Sequence, residues 1–216
     1  MNHTQVVLFS ATILFPAIAG IIKFRNIEKL YYPFIIYLWV ATLNEIISYF
    51  ISLLGYSTTL NNNIYILAES LLILWQFKEW EIFQSYKKGY ALLALALVAV
   101  CLFDNSNIES LGSITNPFRL FYSFMIVLMS IHINNRLAFT YKKNLLKSPV
   151  FIICCGFTIY FTYKILVEVF WIYGLNSTRN FRTDVYIILT WINALINILY
   201  LVALICIPKK PHYTEL

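Results

Sequence analysis

The chain has 216 residues, of which 60% are apolar, 18% aromatic and only 12% charged. Soluble domains carry about a quarter charged residues, so this composition, with a mean hydropathy of +0.72, excludes a disordered chain, a disulfide scaffold and an ordinary water-soluble enzyme. The excess of 16 Lys and Arg over 10 Asp and Glu would point to nucleic acid in a soluble protein, but in a membrane protein it marks the cytoplasmic loops, and no nucleic-acid partner is expected.

A bilayer core about 30 Å thick takes about 20 apolar residues per helix. Seven segments answer to that requirement: Gln5–Ile22, Pro33–Leu54, Ile64–Phe83, Gly89–Phe103, Phe118–Asn134, Val150–Gly174 and Val185–Pro208. The third turns interfacial from Lys78 onward, and the fourth is short but almost unbroken (ALLALALVAVCLF). A helix satisfies its own backbone in lipid, which a lone strand cannot do, and the period-two alternation of barrel strands is absent. The expected fold is all-α: a polytopic membrane protein, one seven-helix transmembrane bundle over residues 1–216. No loop is long enough for a separate soluble domain, and no internal repeat is evident.

Ala17 and Ala19 before Gly20 resemble a signal-peptidase site. Yet no Lys or Arg precedes this apolar run, and Lys23 and Arg25 follow it, an order that favours a retained helix with its N-terminus outside. Lys23, Arg25 and Lys29 lie in the first connection, and Lys78, Lys87 and Lys88 in the third. The fifth carries Arg136, Lys142, Lys143 and Lys147, and the tail carries Lys209 and Lys210. The other side holds Arg119, Arg179 and Arg182, and its stretch GYSTTLNNN is uncharged. Basic residues collect on the cytoplasmic side, so the N-terminus is expected outside and the C-terminus inside the cell inner (plasma) membrane.

Cofactor chemistry finds little support. Cys101 lies near the outer end of its helix, and Cys154, Cys155 and Cys206 lie toward the inner side, which does not make a disulfide framework. A haem or a zinc site needs several ligands at one level of the bundle. His132 is the one intramembrane histidine, with His3 and His212 near the chain ends. A retinal-type Schiff base would want a Lys in the seventh span, whereas the only deep one, Lys164, is in the sixth. Phosphate loops, nucleophile elbows and H-E-x-x-H motifs are missing. No cofactor, metal or catalytic residue is assigned, and an enzyme is not expected.

The informative residues are the ionisable ones inside the spans: Glu45, Glu69, Lys164 and Glu168. Each costs roughly 2.5 kcal/mol or more at a helix centre, and such residues face the bundle interior. With Asn193 and Asn197 they share a depth in the outer half of the bilayer. Helical spacing puts Tyr186, Thr190, Asn193, Asn197 and Tyr200 on one face of the seventh span, and Tyr160, Lys164 and Glu168 on one face of the sixth. Tyr65 shares a face with Glu69. Ala41, Asn44 and Ser48 form another stripe with Glu45 beside it, and Arg119, Tyr122, Ser123 and Ser130 make a weaker one. The fourth span has almost no polar face and is expected at the lipid-exposed periphery.

Two readings of this set stand. Lys164 and Glu168 neutralise each other at i,i+4 while Asn and Ser join helices in lipid; or the carboxylates in excess over Lys164 line an outward-facing cavity, compensated by a cation, water, protonation or Arg119. On the second reading Glu45, Glu69, Lys164, Glu168, Asn193 and Asn197 form a ligand-binding or proton-responsive site, with a small molecule or cation as ligand.

The Glu of the second span, the pattern N-x-x-x-Y-x-L-x-E from Asn61 to Glu69, and K-S-P-x-F at the opening of the sixth (Lys147, Ser148, Pro149, Phe151) resemble uncharacterised bacterial seven-helix membrane proteins, some of them encoded beside sensor histidine kinases. The resemblance covers most of the chain. It implies the seven-helix topology and a place in signalling, and it brings no functional residue with it.

The expected function is a sensory or signalling accessory module that passes a conformational signal to a cytoplasmic partner. The alternative is a small ion- or proton-coupled transporter or channel, against which stands the shortage of Gly/Pro helix breaks and of polar residues in the inner half. The charge asymmetry makes a direct prediction: reporter fusions after Lys88 and Lys143 read as cytoplasmic and one after Asn62 as external. The opposite pattern would overturn the orientation.

Overall fold

The computed structural model describes residues 9, 11–83, 88–104, 116–140, 145–172 and 179–208. His3, His212, Lys87, Lys142, Lys143, Lys209 and Lys210 lie outside the described residues, as does the side chain of Tyr186. Among the described residues there are seven α-helices: α1 (Leu14–Lys23), α2 (Tyr32–Leu53), α3 (Thr59–Glu79), α4 (Gly89–Asp104), α5 (Asn116–Thr140), α6 (Pro149–Ile172) and α7 (Arg179–Cys206). Short 3₁₀ turns lead into α1, join it to α2, and precede α6.

Each helix packs on the next in sequence, α1 also packs on α7, and α3 also meets α5. The helices thus close into a ring. Hydrogen bonds made by side chains, to one another or to backbone, give their directions. Asn44 and Ser48 of α2 meet Asn61 of α3 at one end, while Phe34 meets Gln76 at the other, so the two run antiparallel. Arg119 meets Glu168 and Asn134 meets Cys155, which makes α5 and α6 antiparallel. Thr12, just before α1, meets Asn197, and Lys23 meets the carbonyl of Leu204, so α1 runs parallel to α7. Parallel closing partners are what an alternating ring of odd number requires.

Among the described residues, four stretches are long and apolar enough to cross a membrane: Lys29–Leu53, Pro117–Phe139, Pro149–Phe170 and Ile187–Cys206. The remaining three depart from the seven spans expected, for separate reasons. The described part of α1 has 10 residues. Helix α4 is apolar but only 16 residues long. Helix α3 has 21 residues, but its asparagines, Glu69, Ser70, Gln76, Lys78 and Glu79 lower its hydropathy. Those of them that are buried, Asn63, Glu69, Ser70 and Gln76, point into the ring rather than outward.

Burial runs opposite to that of a water-soluble bundle. Phe15, Ile18, Ile21 and Ile22 of α1 are exposed, as are Leu43, Ile47 and Phe50 of α2, Leu92 and Leu95 of α4, and Leu195, Ile198 and Ile205 of α7. Glu69, Gln76, Glu168 and Asn197 are buried. Continuous apolar exposure on this scale needs an apolar environment around it. In α4 only Leu97 and Cys101 are buried, in keeping with its expected place at the periphery. His132 is exposed on α5, and the four cysteines are free thiols.

Helix ends leave backbone groups without intrahelical partners, and here neighbouring helices supply them. Pro33 stands in the first turn of α2. Buried Gln76 of α3 accepts from the Phe34 N–H at 2.8 Å and donates to the Leu30 carbonyl at 2.7 Å. Asp104, at the end of α4, accepts from the Phe118 N–H at 3.0 Å in the first turn of α5. Cations take the opposite ends, where the helix dipole favours them. Arg136 donates to the Trp80 carbonyl at 2.8 Å after α3. Lys23 donates to the carbonyls of Leu204 and Ile205 at 2.8 and 2.9 Å near the end of α7.

The interior floor is aromatic. Phe34, Phe77, Phe157 and Tyr200 are almost completely buried. Tyr200 stands edge-on to Phe34 at a ring distance of 5.2 Å and to Phe157 at 5.8 Å. Its ring also lies against the bare α-carbon of Gly156, where a Cβ would come within 2.7 Å of it. Replacing a helical Gly by Ala gains about 1 kcal/mol of helix propensity, but forced overpacking costs about 1–3 kcal/mol, and the wedged ring cannot swing aside. Gly156→Ala is therefore expected to lower the melting temperature in detergent. The loss should be smaller when Tyr200→Leu is already present; strict additivity would show that the ring is not what Gly156 accommodates.

Candidate functional site

The buried centre of the bundle is the Glu69 carboxylate, 1% exposed. Tyr65, one helical turn earlier on α3, donates its hydroxyl to Oε1 at 3.0 Å. Tyr122 of α5 donates to Oε2 at 2.8 Å. The Lys164 ammonium of α6 lies 3.3 Å from the same oxygen and also donates to the Tyr122 hydroxyl. Around the Lys164 nitrogen stand the rings of Tyr122, Phe161 and Tyr160, at 5.0, 5.4 and 5.5 Å to their centroids. One carboxylate and three aromatic faces thus hold an ammonium inside the bundle, with Coulomb attraction and cation–π contact acting together.

A second ion pair flanks the first. Arg119 of α5 lies 3.3 Å from Glu168, one turn beyond Lys164 on α6. Helical spacing correctly places Tyr160, Lys164 and Glu168 on one face, but the i,i+4 neutralisation of Lys164 by Glu168 is not the pairing formed. Each charge makes its ion pair with a different helix, Lys164 with α3 and Glu168 with α5. Such cross-helix pairs tie α3, α5 and α6 together, which an intrahelical pair could not do.

Beside this network lies a cavity of about 60 Å³. Its wall is built from Ile13 before α1, Tyr37, Ala41 and Glu45 of α2, Tyr65 and Glu69 of α3, Tyr160 of α6, and Asn193, Ile196, Asn197 and Tyr200 of α7. Of the six site residues expected, Glu45, Glu69, Asn193 and Asn197 line it. Lys164 adjoins it through Glu69, while Glu168, paired with Arg119, stands outside its wall. Asn197 donates to the Thr12 hydroxyl at 2.9 Å, fastening the entry of α1 to α7.

The polar stripe of α2 divides in two. Glu45 and Ala41, four residues apart, face the cavity, whereas Asn44 and Ser48, also four apart, accept hydrogen bonds from Asn61 of α3 at 2.8 and 2.9 Å. Three site features escape a reading by periodicity. Tyr37 lies in an apolar run and reads as ordinary core. Thr12 lies before the first helix. Gln76, an amide isolated among apolar neighbours, could have been recognised as a buried polar residue needing partners, but not which partners. Of the fifth-span stripe, Arg119 and Tyr122 join the ion network, while Ser123 and Ser130 are buried in the bundle.

Among the described residues, no group of three or more His, Cys, Asp or Glu side chains is placed to hold a metal ion. Comparison of the chain with family models, with curated proteins and with solved structures gave no match. The site therefore has to be interpreted from its own geometry.

Removing one member of a buried pair leaves a charge without compensation and costs about 3–5 kcal/mol, whereas removing both can be nearly neutral. Lys164→Met should consequently destabilise the protein more than the Lys164→Met, Glu69→Gln double variant. A thermal double-mutant cycle should show strong coupling between Lys164 and Glu69, and weaker coupling between Lys164 and Glu168. Equal coupling in the two cycles would overturn the cross-helix assignment.

Proposed function

We propose that this chain is a seven-span sensory or signalling accessory module of the cell inner membrane, with its N-terminus outside and C-terminus inside. Its polar cavity faces outward and receives a small ligand. The resulting helix shift passes to a cytoplasmic signalling protein. Signalling partners of the histidine-kinase class fit the resemblance carried by Asn61–Glu69 and the Lys147–Phe151 segment. No reaction is assigned to the chain.

The observation that supports binding over conduction is the change of lining along the bundle. Polar groups of four helices, α2, α3, α6 and α7, meet at one level. At the next, toward the start of α2, the rings of Phe34, Tyr37, Phe157 and Tyr200 pack within 5.2 to 6.4 Å of one another. A polar chamber above an aromatic plug is suited to retaining a ligand and moving helices, because tightly packed elements respond to a local change by shifting as units. The charge network spans α3, α5 and α6, so a ligand beside Glu69 acts on several helices at once.

One feature favours the transport reading. Glu45 and Glu69 stand at the same cavity as Asn193 and Asn197, a donor set that ion- and proton-coupled carriers place at mid-membrane. Two measurements separate the readings. Neutralising Lys142, Lys143 and Lys147 together should weaken co-purification with a cytoplasmic partner while expression and topology stay unchanged. The purified chain alone, in sealed vesicles, should move neither ions nor small solutes; sustained flux without a partner would replace the sensory reading with transport.

A further inference from the structure

We infer that the corner where α1 turns into α2 is a binding site for an anionic phospholipid, its phosphate held by Lys23, Arg25 and Lys29 and its acyl chains laid along α1 and α7. The inference goes beyond the sensory reading: it rests on the chain spanning a membrane and is independent of what the polar cavity holds. Lys23, Arg25 and Lys29 fall within seven residues, with Glu28 as the one acid among them. Arg25, Glu28 and Lys29 are exposed, and Lys23 is half-buried. Among the described residues none of the three cations forms an ion pair. Glu28 offsets at most one of the three charges, so the corner stays positive.

Lys23 is fixed in position by the protein. Its ammonium donates to the carbonyls of Leu204 and Ile205 at 2.8 and 2.9 Å. An ammonium has three donors, so one is left for an acceptor from outside. The charge is thereby held at the end of α7, and the turn into α2 brings Arg25 and Lys29 to the same end of the bundle. Beside them Phe24 stacks on Tyr32 at a ring distance of 4.5 Å and lies 5.0 Å from Trp39. Tyr and Trp collect at the level of lipid headgroups, which is where a phosphate would stand.

The surface next to these charges is apolar. Ile18, Ile21 and Ile22 lead up to Lys23 on α1, and Ile198, Val202 and Ile205 follow one stripe of α7; all six are exposed. Ile22 is 72% exposed and Ile205 63%, although the first precedes Lys23 in the chain and the second gives it a carbonyl. A water-soluble acidic partner would match the cations and leave these isoleucines uncovered, and so would a free phosphate. A phospholipid covers both with one molecule. Its phosphate accepts charge-assisted hydrogen bonds from Lys and Arg, and its chains lie on the isoleucines. Clustered basic residues at a membrane surface attract anionic lipid for the same electrostatic reason.

The test uses the full chain in nonionic detergent, titrated with phosphatidylglycerol and, separately, with phosphatidylcholine of the same acyl chains. The expected result is a saturable rise in melting temperature, since a ligand that binds only the folded state stabilises it. Phosphatidylglycerol should bind about 100-fold more tightly, because each of three cations near an anionic headgroup contributes about fivefold. Glycerol phosphate, the headgroup without chains, should not reproduce the rise. Arg25→Gln combined with Lys29→Gln changes two exposed positions and leaves the Lys23 contacts intact. It should lower the phosphatidylglycerol affinity about 30-fold and leave that for phosphatidylcholine unchanged. Lys78→Gln combined with Lys88→Gln removes the same charge beside α4 and should leave the preference intact. Equal affinity for the two lipids would overturn the inference and return the cations to a protein partner. An equal loss in the two double variants would overturn it too, making the preference a matter of net charge. So would a full effect from glycerol phosphate, which would make the corner a site for a free anion.

Discussion

Everything distinctive in this bundle depends on the Glu69 carboxylate being kept out of solvent yet fully supplied with donors. Two phenol hydroxyls and an ammonium converge on it from α3, α5 and α6. An isolated carboxylate at this depth would cost several kcal/mol. The helices that bring its partners must therefore keep their register, because sliding one of them by a turn would break the ion pair and leave two buried charges. The network acts as a geometric constraint more than as a source of net stability, since desolvation offsets much of its Coulomb energy.

That constraint explains how the rest of the interior is arranged. With Lys164 drawn to α3, Glu168 one turn away is left to Arg119 of α5. The pair of ion pairs closes one side of the ring. On the other side α1, α2 and α7 meet through lighter contacts: Asn197 with Thr12, Trp39 with the Ala17 carbonyl at 3.2 Å, and Lys23 with the end of α7. The cavity lies between the heavily charged side and this lighter side. A ligand there would touch both, and the lighter side has fewer buried charges to hold it in place.

The aromatic layer sets the other boundary. Phe34, Phe157 and Tyr200 come from three different helices and interlock edge to face. Gly156 allows Tyr200 to lie close against α6. Polar chamber and aromatic plug thus come from consecutive turns of the same helices: Tyr160 and Phe157 on α6, Asn197 and Tyr200 on α7, Ala41 and Tyr37 on α2.

The all-helical architecture and its membrane-compatible composition are legible in the sequence because they depend on local quantities: apolar runs, the scarcity of charge, and backbone groups that lipid cannot satisfy. Polar faces within single helices are legible for the same reason, since a period of 3.6 residues fixes which side chains point together; Tyr160, Lys164 and Glu168 on α6 are the case in point. Partnership across helices is another matter. That Lys164 meets Glu69, that Glu45 turns to the cavity while Asn44 turns to Asn61, and that Gln76 serves the first turn of α2 depend on the rotation and height of one helix against another. Those are set by packing of the whole ring, among residues as many as 185 positions apart along the chain for Thr12 and Asn197, and no local pattern encodes them.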